Sequence, residues 1–214
     1  MIEEFEKRNI YKDDPSKLSM VLKTVNWCSI KMRNQAVKAL YGWTEIQDSH
    51  ALSLLQHEIS DSEIRAYAVM KLSKISNRLL ANFMPQLVQA LKFEAHHHSK
   101  LGDMLLKRSL YSSRIVGHAY FWALNSSLYD PYTFERLYLN YERFLFLCPH
   151  YRKEIFLQTK MNDLIIDINY VAVNEPNRTM KELRDDLNTK IDEVKAEFGY
   201  EYFVLPHIPY TPLR

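Results

Sequence analysis

Apolar residues recur along most of this chain at the spacing of one helix face. The most regular stripe has apolar side chains at i, i+3, i+4, i+7, i+8 and i+11, and consists of Leu80, Phe83, Met84, Leu87, Val88 and Leu91. A second stripe of six positions runs from Phe134 to Leu145. Such a stripe is buried when a helix packs on its neighbours. The pattern therefore predicts a protein built almost wholly from amphipathic α-helices.

Capping signals separate the stripes into individual helices. Asp14-Pro15 and Asp130-Pro131 each place a capping carboxylate before a proline that suits the first helical turn. Ser60–Glu63 and Thr179–Glu182 have the spacing of a capping box. Pro85 lies inside the most regular stripe and leaves two interpretations open, one kinked helix or two short ones. Shorter stripes predict further helices near residues 18–25, 31–41, 51–55, 64–75, 101–110, 115–124, 150–171 and 180–198.

The spacing of the helices predicts how they pack. Helices with a single apolar face must bury it in pairs or layers. Antiparallel pairs recur at roughly 35–45 residues, which is the range of HEAT and armadillo repeats. We therefore predict an all-α fold, an α-α superhelix of antiparallel helix pairs. Residues 200–214 contain three prolines and no helical period, so they are predicted to form an extended C-terminal tail.

Composition narrows the class of protein further. The chain has 214 residues, with 28 Lys or Arg and 26 Asp or Glu, and a net charge of +2 gives no general attraction for nucleic acid. Only 4 glycines are present, which disfavours glycine-rich phosphate loops. The N-terminus is charged and lacks the apolar stretch of a signal peptide. The longest uncharged stretch, residues 115–129, is shorter than the ~20 residues of a membrane-spanning helix. We expect a cytoplasmic protein without a transmembrane segment.

Candidate catalytic or metal-binding groups are sparse. The three adjacent histidines His96–His98 do not share a helix face and have no second ligand cluster close in sequence, so we expect a solvated loop. His57-Glu58 is not an HExxH zinc motif, because Asp61 occupies its last position. Cys28 and Cys148 are expected to be small buried hydrophobes. We predict no catalytic residue, no cofactor and no metal site.

Four runs of sequence are more specific than periodicity. They read Asp-Ser-Glu-Ile-Arg-Ala-Tyr-Ala-Val at 61–69, Pro-Gln-Leu-Val-Gln-Ala-Leu-Lys-Phe-Glu at 85–94, Leu-Leu-Lys-Arg-Ser-Leu at 105–110 and Arg-Ile-Val-Gly-His-Ala-Tyr-Phe-Trp-Ala-Leu at 114–124. In this order and spacing they resemble the helical accessory domain of phosphoinositide 3-kinases, with details that favour the class I and II enzymes. Residues 18–27 resemble the opening helix of that domain, and Leu-Pro-His-Ile-Pro at 205–209 resembles the entry into a kinase N-lobe.

The resemblance implies a set of structural signature residues: Trp27, Arg65, Gln86, Gln89, Gly117, His118 and Trp122. Arg65 follows a position of the apolar stripe and is expected to bond carbonyls or a carboxylate between helices. Gln86 and Gln89 are expected to hydrogen-bond the neighbouring helix, since buried amides need partners.

The glycine, histidine and tryptophan of the fourth run are each expected to have a structural role. Gly117 should let a helix approach closely, and His118 should satisfy a buried polar group rather than act in catalysis. Trp122 is expected to lie in the core or in a groove. No carboxylate and nucleophile accompany the histidine in sequence, which disfavours a catalytic role.

The chain lacks the motifs of a kinase. A kinase needs a glycine-rich loop, a lysine on the phosphates, and Asp and Asn side chains that hold Mg²⁺. The closest pair of glycines, Gly102 and Gly117, is 15 residues apart. Glu197-Phe198-Gly199 is similar to a DFG motif, but it ends a helical pattern and no catalytic loop precedes it. We predict that the chain is not an enzyme, whereas the resemblance implies that its parent protein is a phosphatidylinositol 3-kinase.

The resemblance also implies an organisation and a function. It divides the chain into an N-terminal extension (1–15), the helical accessory domain (16–198) and a linker that would enter a kinase N-lobe (199–214). Such domains are scaffolds in phosphoinositide signalling, against which C2, Ras-binding and kinase domains pack, and only the parent kinase would associate peripherally with a membrane. Glu3, Glu4 and Glu6 are loosely similar to an acidic patch that contacts a regulatory subunit.

The alternative function is a freestanding α-solenoid adaptor that binds other proteins along a concave face. A free solenoid should end in polar capping helices. The tail from Tyr200 to Pro212 instead carries apolar residues between prolines, as a segment that docks on a following domain would. The tail therefore favours the scaffold over the adaptor.

Overall fold

The structure is a computed structural model that describes residues 11–175, 177–199, 203–205 and 208–213. The chain divides into two compact units, Met1–Leu147 and Cys148–Arg214. Helices account for most of the described residues, and the prediction of an all-α fold is confirmed.

Eight α-helices are described in the first unit. They are α1 (Leu18–Lys23), α2 (Ile30–Tyr41), α3 (Asp48–Ser53), α4 (Ser62–Leu72), α5 (Asn77–Leu91), α6 (Lys100–Tyr111), α7 (His118–Ser127) and α8 (Phe134–Leu147). A 3-10 turn at Pro15–Lys17 precedes α1, and a π-helical turn at Ser113–Gly117 connects α6 to α7.

The helices of the first unit pack in two layers. In one layer, α2 lies beside α4, α4 beside α6, and α6 beside α8. In the other layer, α1 lies beside α3, and α5 lies beside α7. The consecutive helices α3–α4, α5–α6 and α7–α8 pack as pairs that join the two layers. This stack of helix pairs buries one face of each helix, as the periodicity predicts.

Side-chain caps start the first helices close to the predicted positions. The Asp14 carboxylate accepts a hydrogen bond from the N–H of Ser16 at 2.9 Å, at the start of the 3-10 turn. At α4 the cap is Asp61, whose Oδ1 accepts from the N–H of Glu63 at 2.9 Å. The predicted capping box at Ser60 is therefore wrong, because a carboxylate one position later reaches the free N–H groups of the first turn.

The proline inside the most regular stripe does not divide that helix. Pro85 lies within α5, which continues from Asn77 to Leu91, so the interpretation as two short helices is wrong. Pro85 is exposed, whereas Met84 and Leu87 are buried. The ring therefore lies on the solvent side, where water can bond the carbonyl that a proline leaves without its helical donor.

The stripe of α5 and the buried part of the stripe of α8 form much of the core of the first unit, whereas Phe134 and Tyr138 at the start of the α8 stripe are exposed. Fully buried apolar side chains on these two helices include Leu80, Met84, Leu87, Val88, Leu137 and Phe144.

Of the two cysteines that were expected to be buried, one lies outside the core. Cys28 is exposed in the loop between α1 and α2, where its N–H donates to the side chain of Asn26 at 3.1 Å. Cys148, in contrast, is buried as expected, and burial raises the pKa of its thiol.

The described part of the second unit contains two helices and two paired strands. Helix α9 (Pro149–Asn174) packs against α10 (Met180–Phe198), with a core of Leu157, Met161, Ile165, Ile191 and Val194. The predicted capping box opens α10, with the Thr179 N–H donating to Glu182 at 2.8 Å. Two described segments of the predicted tail, residues 203–205 and 208–213, form the antiparallel strands β1 (Phe203–Leu205) and β2 (Ile208–Leu213), and β1 lies beside α9.

Candidate functional site

The side chain of Arg65 connects the ends of two helices. It is only 4% exposed although it carries a full charge. Its Nη1 donates to the carbonyl oxygens of Leu55 at 2.9 Å and Ile59 at 3.3 Å, in the loop after α3. Its Nε lies 2.8 Å from Glu94 Oε1, and its Nη2 donates to the carbonyl of Ala90 at 3.0 Å near the end of α5. The guanidinium thus bonds carbonyls and a carboxylate of neighbouring helices at once.

A second arginine caps the C-terminal end of α4 from a neighbouring helix. Arg108, on α6, donates to the carbonyls of Ser73 at 2.6 Å and Ile75 at 2.8 Å. Its Nη2 also donates to Asn77 Oδ1 at 2.7 Å, where α5 begins. The last carbonyls of a helix have no partner within it, so a guanidinium satisfies them and fixes the neighbouring helix at the same time.

A third arginine caps the C-terminal end of α5. Arg136, on α8, donates from Nη1 to the carbonyls of Leu91 and Lys92 at 3.2 Å, and to the carbonyl of Glu94. The sequence patterns did not single out Arg108 or Arg136. One signal was available, because Arg136 directly precedes a buried stripe residue just as Arg65 directly follows one. We call Arg65, Arg108 and Arg136 the arginine clamps.

Gly117 lies at the closest approach of the π-helical turn to its neighbours. A Cβ atom at this position would come within 2.8 Å of the Ser109 carbonyl oxygen and 3.1 Å of Phe144 Cζ. The ring of Phe144 also meets Tyr120 edge-on, with 5.8 Å between ring centroids. The Tyr120 hydroxyl lies 3.3 Å from the buried Asn140 Oδ1, and burial raises the pKa of the phenol. The expected close approach therefore links α7 to α6 and α8.

Aromatic rings form a continuous row along α7 and α8. The row, called here the aromatic row, consists of His118, Trp122, Phe121, Tyr141, Tyr138 and Phe134. Successive ring centroids are 6.5, 5.1, 5.2, 6.1 and 5.1 Å apart. Its far end reaches solvent, with Phe134 40% exposed and Tyr138 37% exposed. Exposed aromatic side chains are enriched where one protein surface meets another.

The two glutamines are placed differently from the expectation for buried amides. Gln89 donates to the Ser127 hydroxyl at 3.0 Å, and thus does bond a neighbouring helix, but both Gln86 and Gln89 are exposed. Gln86 makes no hydrogen bond within the part of the chain that the structure describes. Their positions beside Leu87 and Val88 place them on the solvent side of the stripe, so the assumption that they are buried is wrong.

The remaining signature residues are only partly buried. Trp27 is half-buried, and its indole nitrogen has no hydrogen-bond partner among the described residues. His118 and Trp122 are also half-buried, and Trp122 packs edge-on against Phe121 in the aromatic row. Trp122 thus lies at the edge of the core rather than inside it. Glu3, Glu4 and Glu6 fall outside the residues that the structure describes.

The histidine run lies in the loop between α5 and α6. His96, His97 and His98 are all exposed, as expected for a solvated loop. His98 Nδ1 lies 3.3 Å from Asp103 Oδ1. In the described ranges, no group of three His, Cys, Asp or Glu side chains is placed to hold a metal ion. Across the same ranges, no helix has both the length and the apolar character needed to cross a membrane.

The motif that resembles DFG occupies the end of a helix. Glu197 and Phe198 are the last residues of α10, and Gly199 is its C-cap with φ +67°. A left-handed glycine at this position is a common way to end a helix. Helix geometry thus accounts for the glycine at this position.

Comparison with known proteins identifies the family. The model of the phosphoinositide 3-kinase family accessory domain, or PIK domain, matches residues 3–157. The chain belongs to this family. The matched family model covers the arginine clamps and the aromatic row, and it describes an accessory domain rather than a kinase domain.

Curated relatives of this PIK domain are phosphatidylinositol 3-kinases. Phosphatidylinositol 3-kinase 2 of Dictyostelium discoideum is 30% identical over 166 residues, which are 78% of this chain and 9% of the relative. The root isoform of phosphatidylinositol 3-kinase from Glycine max is 34% identical over 58% of this chain and 15% of its own length. Phosphatidylinositol 4-phosphate 3-kinase C2 domain-containing subunit beta of Homo sapiens is 34% identical over 59% of this chain and 8% of its own length. The chain thus matches a small part of each relative.

Proposed function

We propose that this PIK domain is a rigid, non-catalytic scaffold in a phosphatidylinositol 3-kinase, against which C2, Ras-binding and kinase domains pack. The helical accessory domain comprises residues 16–198, preceded by an extension at 1–15. Residues 199–214 form the linker that enters the kinase N-lobe. The parent protein acts in phosphoinositide signalling in the cytoplasm and reaches the membrane peripherally.

The aromatic row is the observation that carries the scaffold proposal. Its end at Phe134 and Tyr138 presents two stacked rings to solvent, with 5.1 Å between their centroids and 18° between their planes. A hydrogen bond to the Glu142 carboxylate raises the pKa of Tyr138 and fixes its hydroxyl at the edge of the stack. A stacked aromatic surface that is partly exposed suits a packed interface with a neighbouring domain.

The arginine clamps supply the rigidity that a scaffold needs. Each clamp joins elements 25 to 45 residues apart in sequence, such as Arg65 with Ala90 and Arg136 with Leu91. A guanidinium that bonds several carbonyls cannot slide without losing all of them together. We also propose that the structural signature residues named from the resemblance help to hold the helices together. Glu3, Glu4 and Glu6 are proposed to contact a regulatory subunit.

A chimeric kinase tests the scaffold proposal. In phosphatidylinositol 3-kinase 2 of Dictyostelium discoideum, the segment matched by this chain is replaced by the corresponding part of this chain. The proposal expects the chimera to phosphorylate phosphatidylinositol. A Phe134→Glu/Tyr138→Glu chimera should lose about tenfold or more of that rate, because charged groups would be buried at the domain interface.

Two controls separate an interface effect from misfolding. Tyr111 is 87% exposed on α6 outside the aromatic row, so the Tyr111→Glu chimera should keep its rate. The isolated Phe134→Glu/Tyr138→Glu chain should unfold at about the same urea concentration as the wild-type chain. An inactive wild-type chimera, or a double variant as active as the Tyr111→Glu chimera, would contradict the proposal.

A further inference from the structure

An open groove runs between α4 and α6. Its wall on α4 is formed by Ala66, Tyr67, Val69, Met70 and Ser73, and its wall on α6 by Lys100, Asp103, Met104 and Lys107. Each wall contains the spacing i, i+3, i+4 and i+7, which is one helix face. We call this the α4–α6 groove. It is separate from the aromatic row, which lies on α7 and α8.

The walls of the α4–α6 groove combine a buried apolar base with exposed apolar edges. Tyr67, Val69 and Met104 are buried, whereas Met70 is 45% exposed. Tyr41 at the end of α2 closes one side, with its ring edge-on to Tyr67 at 6.0 Å. Methionine side chains adapt to the shape of a partner and are used at surfaces that bind helices.

The charges that line the α4–α6 groove are not balanced. Its two acids are already paired within this chain, Glu63 with Arg33 at 3.4 Å and Asp103 with Arg143 at 3.3 Å. Its two lysines, Lys100 and Lys107, are exposed and have no ion-pair partner among the described residues. The charge that remains for a ligand is therefore positive, and it flanks an apolar strip.

The two lysines have the spacing of one helix face. They are seven residues apart on α6, which corresponds to about 10 Å along the helix axis. Met104 lies between them on the same face. An amphipathic helix places acids seven residues apart at the same interval, with apolar residues three and four positions after the first acid.

We propose that the α4–α6 groove binds an acidic amphipathic helix of a partner protein. Two carboxylates of that helix pair with Lys100 and Lys107, and the apolar residues between them pack on Met70, Tyr67 and Met104. This site goes beyond the scaffold function, because it lies outside the aromatic row and would recruit a separate protein. The charge pairs would set the register of the helix, while the apolar strip supplies most of the affinity.

Selection from a random peptide library tests the proposed site. A phage-displayed library of random peptides about 16 residues long is selected on the full chain. The proposal expects enriched peptides with Asp or Glu seven residues apart around apolar residues. Their dissociation constants should rise by about tenfold or more with Lys100→Glu/Lys107→Glu. The Met70→Ala substitution should weaken the binding of the same peptides several-fold.

Matched variants define the outcomes that would overturn the proposal. Lys38 is exposed on α2 outside the groove, so Lys38→Glu should leave peptide binding unchanged. Enriched peptides without the acidic pattern, or equal binding to the double variant, would overturn the proposal. Vesicles of phosphatidylcholine and phosphatidylserine test the other source of negative charge. Lysine-dependent vesicle binding without acidic peptides would assign the groove to a membrane instead. The chimeric kinase is not used, so failure here leaves the scaffold proposal standing.

Discussion

Replacing Arg65 by methionine removes one arginine clamp and keeps an unbranched, apolar side chain of similar length. In the wild-type chain the guanidinium bonds the carbonyls of Leu55, Ile59 and Ala90 and the carboxylate of Glu94. The carboxylate of Glu94 is only 11% exposed. After the substitution this charge and the buried carbonyls lose their partner, and the methionine cannot replace any of these hydrogen bonds.

The size of the effect follows from what stays buried. Removing one partner of a buried ion pair costs about 3–5 kcal/mol, because the other charge remains without compensation. Adding a separate cost for every carbonyl would exceed this range, but neighbouring groups relax together and their costs are not additive. We therefore expect Arg65→Met to lower the free energy of unfolding by about 3–5 kcal/mol. That is a large share of the roughly 5–15 kcal/mol of a typical domain.

Urea unfolding followed by tryptophan fluorescence measures this loss in the right part of the chain. All 3 tryptophans, Trp27, Trp43 and Trp122, lie in the first unit, where the clamp is. The control is Arg143→Met, because Arg143 is 38% exposed and its partner Asp103 is 52% exposed, so this ion pair is largely solvated. We expect the control to cost about 1 kcal/mol or less.

A double-mutant cycle separates the ion pair from the packing. Glu94→Met alone should cost less than Arg65→Met, because the guanidinium keeps its carbonyl partners. The double variant should cost at least about 1 kcal/mol less than the two single losses together, since neither charge is left unpaired. If Arg65→Met instead lowers the free energy of unfolding by less than about 1 kcal/mol, or if the losses in the cycle are strictly additive, the claim that Arg65 and Glu94 form a buried, stabilising ion pair is refuted.

Further predictions concern close packing, burial and pH. Gly117→Ala should lower the unfolding free energy by about 1–3 kcal/mol, whereas Gly42→Ala, whose added Cβ would have no neighbour closer than 3.6 Å, should change it by less than about 1 kcal/mol in the same urea assay. Phe121→Ala should cost about 3–5 kcal/mol and Trp122→Ala about 1–3 kcal/mol, because only the first ring is fully buried; the reverse order would contradict the described packing. Hydrogen bonds from the Thr133 hydroxyl and from Lys92 hold the pKa of Asp130 below its usual range. Its contribution is therefore present above about pH 4 and is lost as pH falls through the lowered pKa, so the urea midpoints of the wild-type and Asp130→Asn chains should differ at pH 7 and approach each other as pH falls below about 4. A difference that stays constant from pH 7 to the acid range would contradict this linkage.

Long apolar stripes made much of the fold predictable. The stripes of α5 and α8 each cover about three turns, and only an α-helix packed on one face explains that period. The proline in α5 could not be interpreted in the same way. Pro85 is tolerated because it lies on the exposed face, and the rotation of a helix about its axis is fixed by its neighbours rather than by its own sequence.

The candidate site was predictable only in part for a related reason. Arg65 could be recognised because it lies within the first of the four runs of sequence, at 61–69, and its partners are the buried groups that a charged side chain needs. Arg108 and Arg136 bond carbonyls 33 to 45 residues away, and no local pattern reveals such a partner. The expected burial of Gln86 and Gln89 was wrong because a position beside a stripe can face either the neighbour or the solvent.

Transcript sequencing through the codon for Arg214 tests the central proposal most directly. The scaffold proposal predicts an open reading frame that continues into a glycine-rich strand, a strand-borne lysine and a later DFG motif, the parts that a lipid kinase needs and that residues 1–214 lack. A stop codon directly after Arg214 would contradict a place in a larger kinase. In that case the chain would be a freestanding α-solenoid, and the adaptor function would take the place of the scaffold.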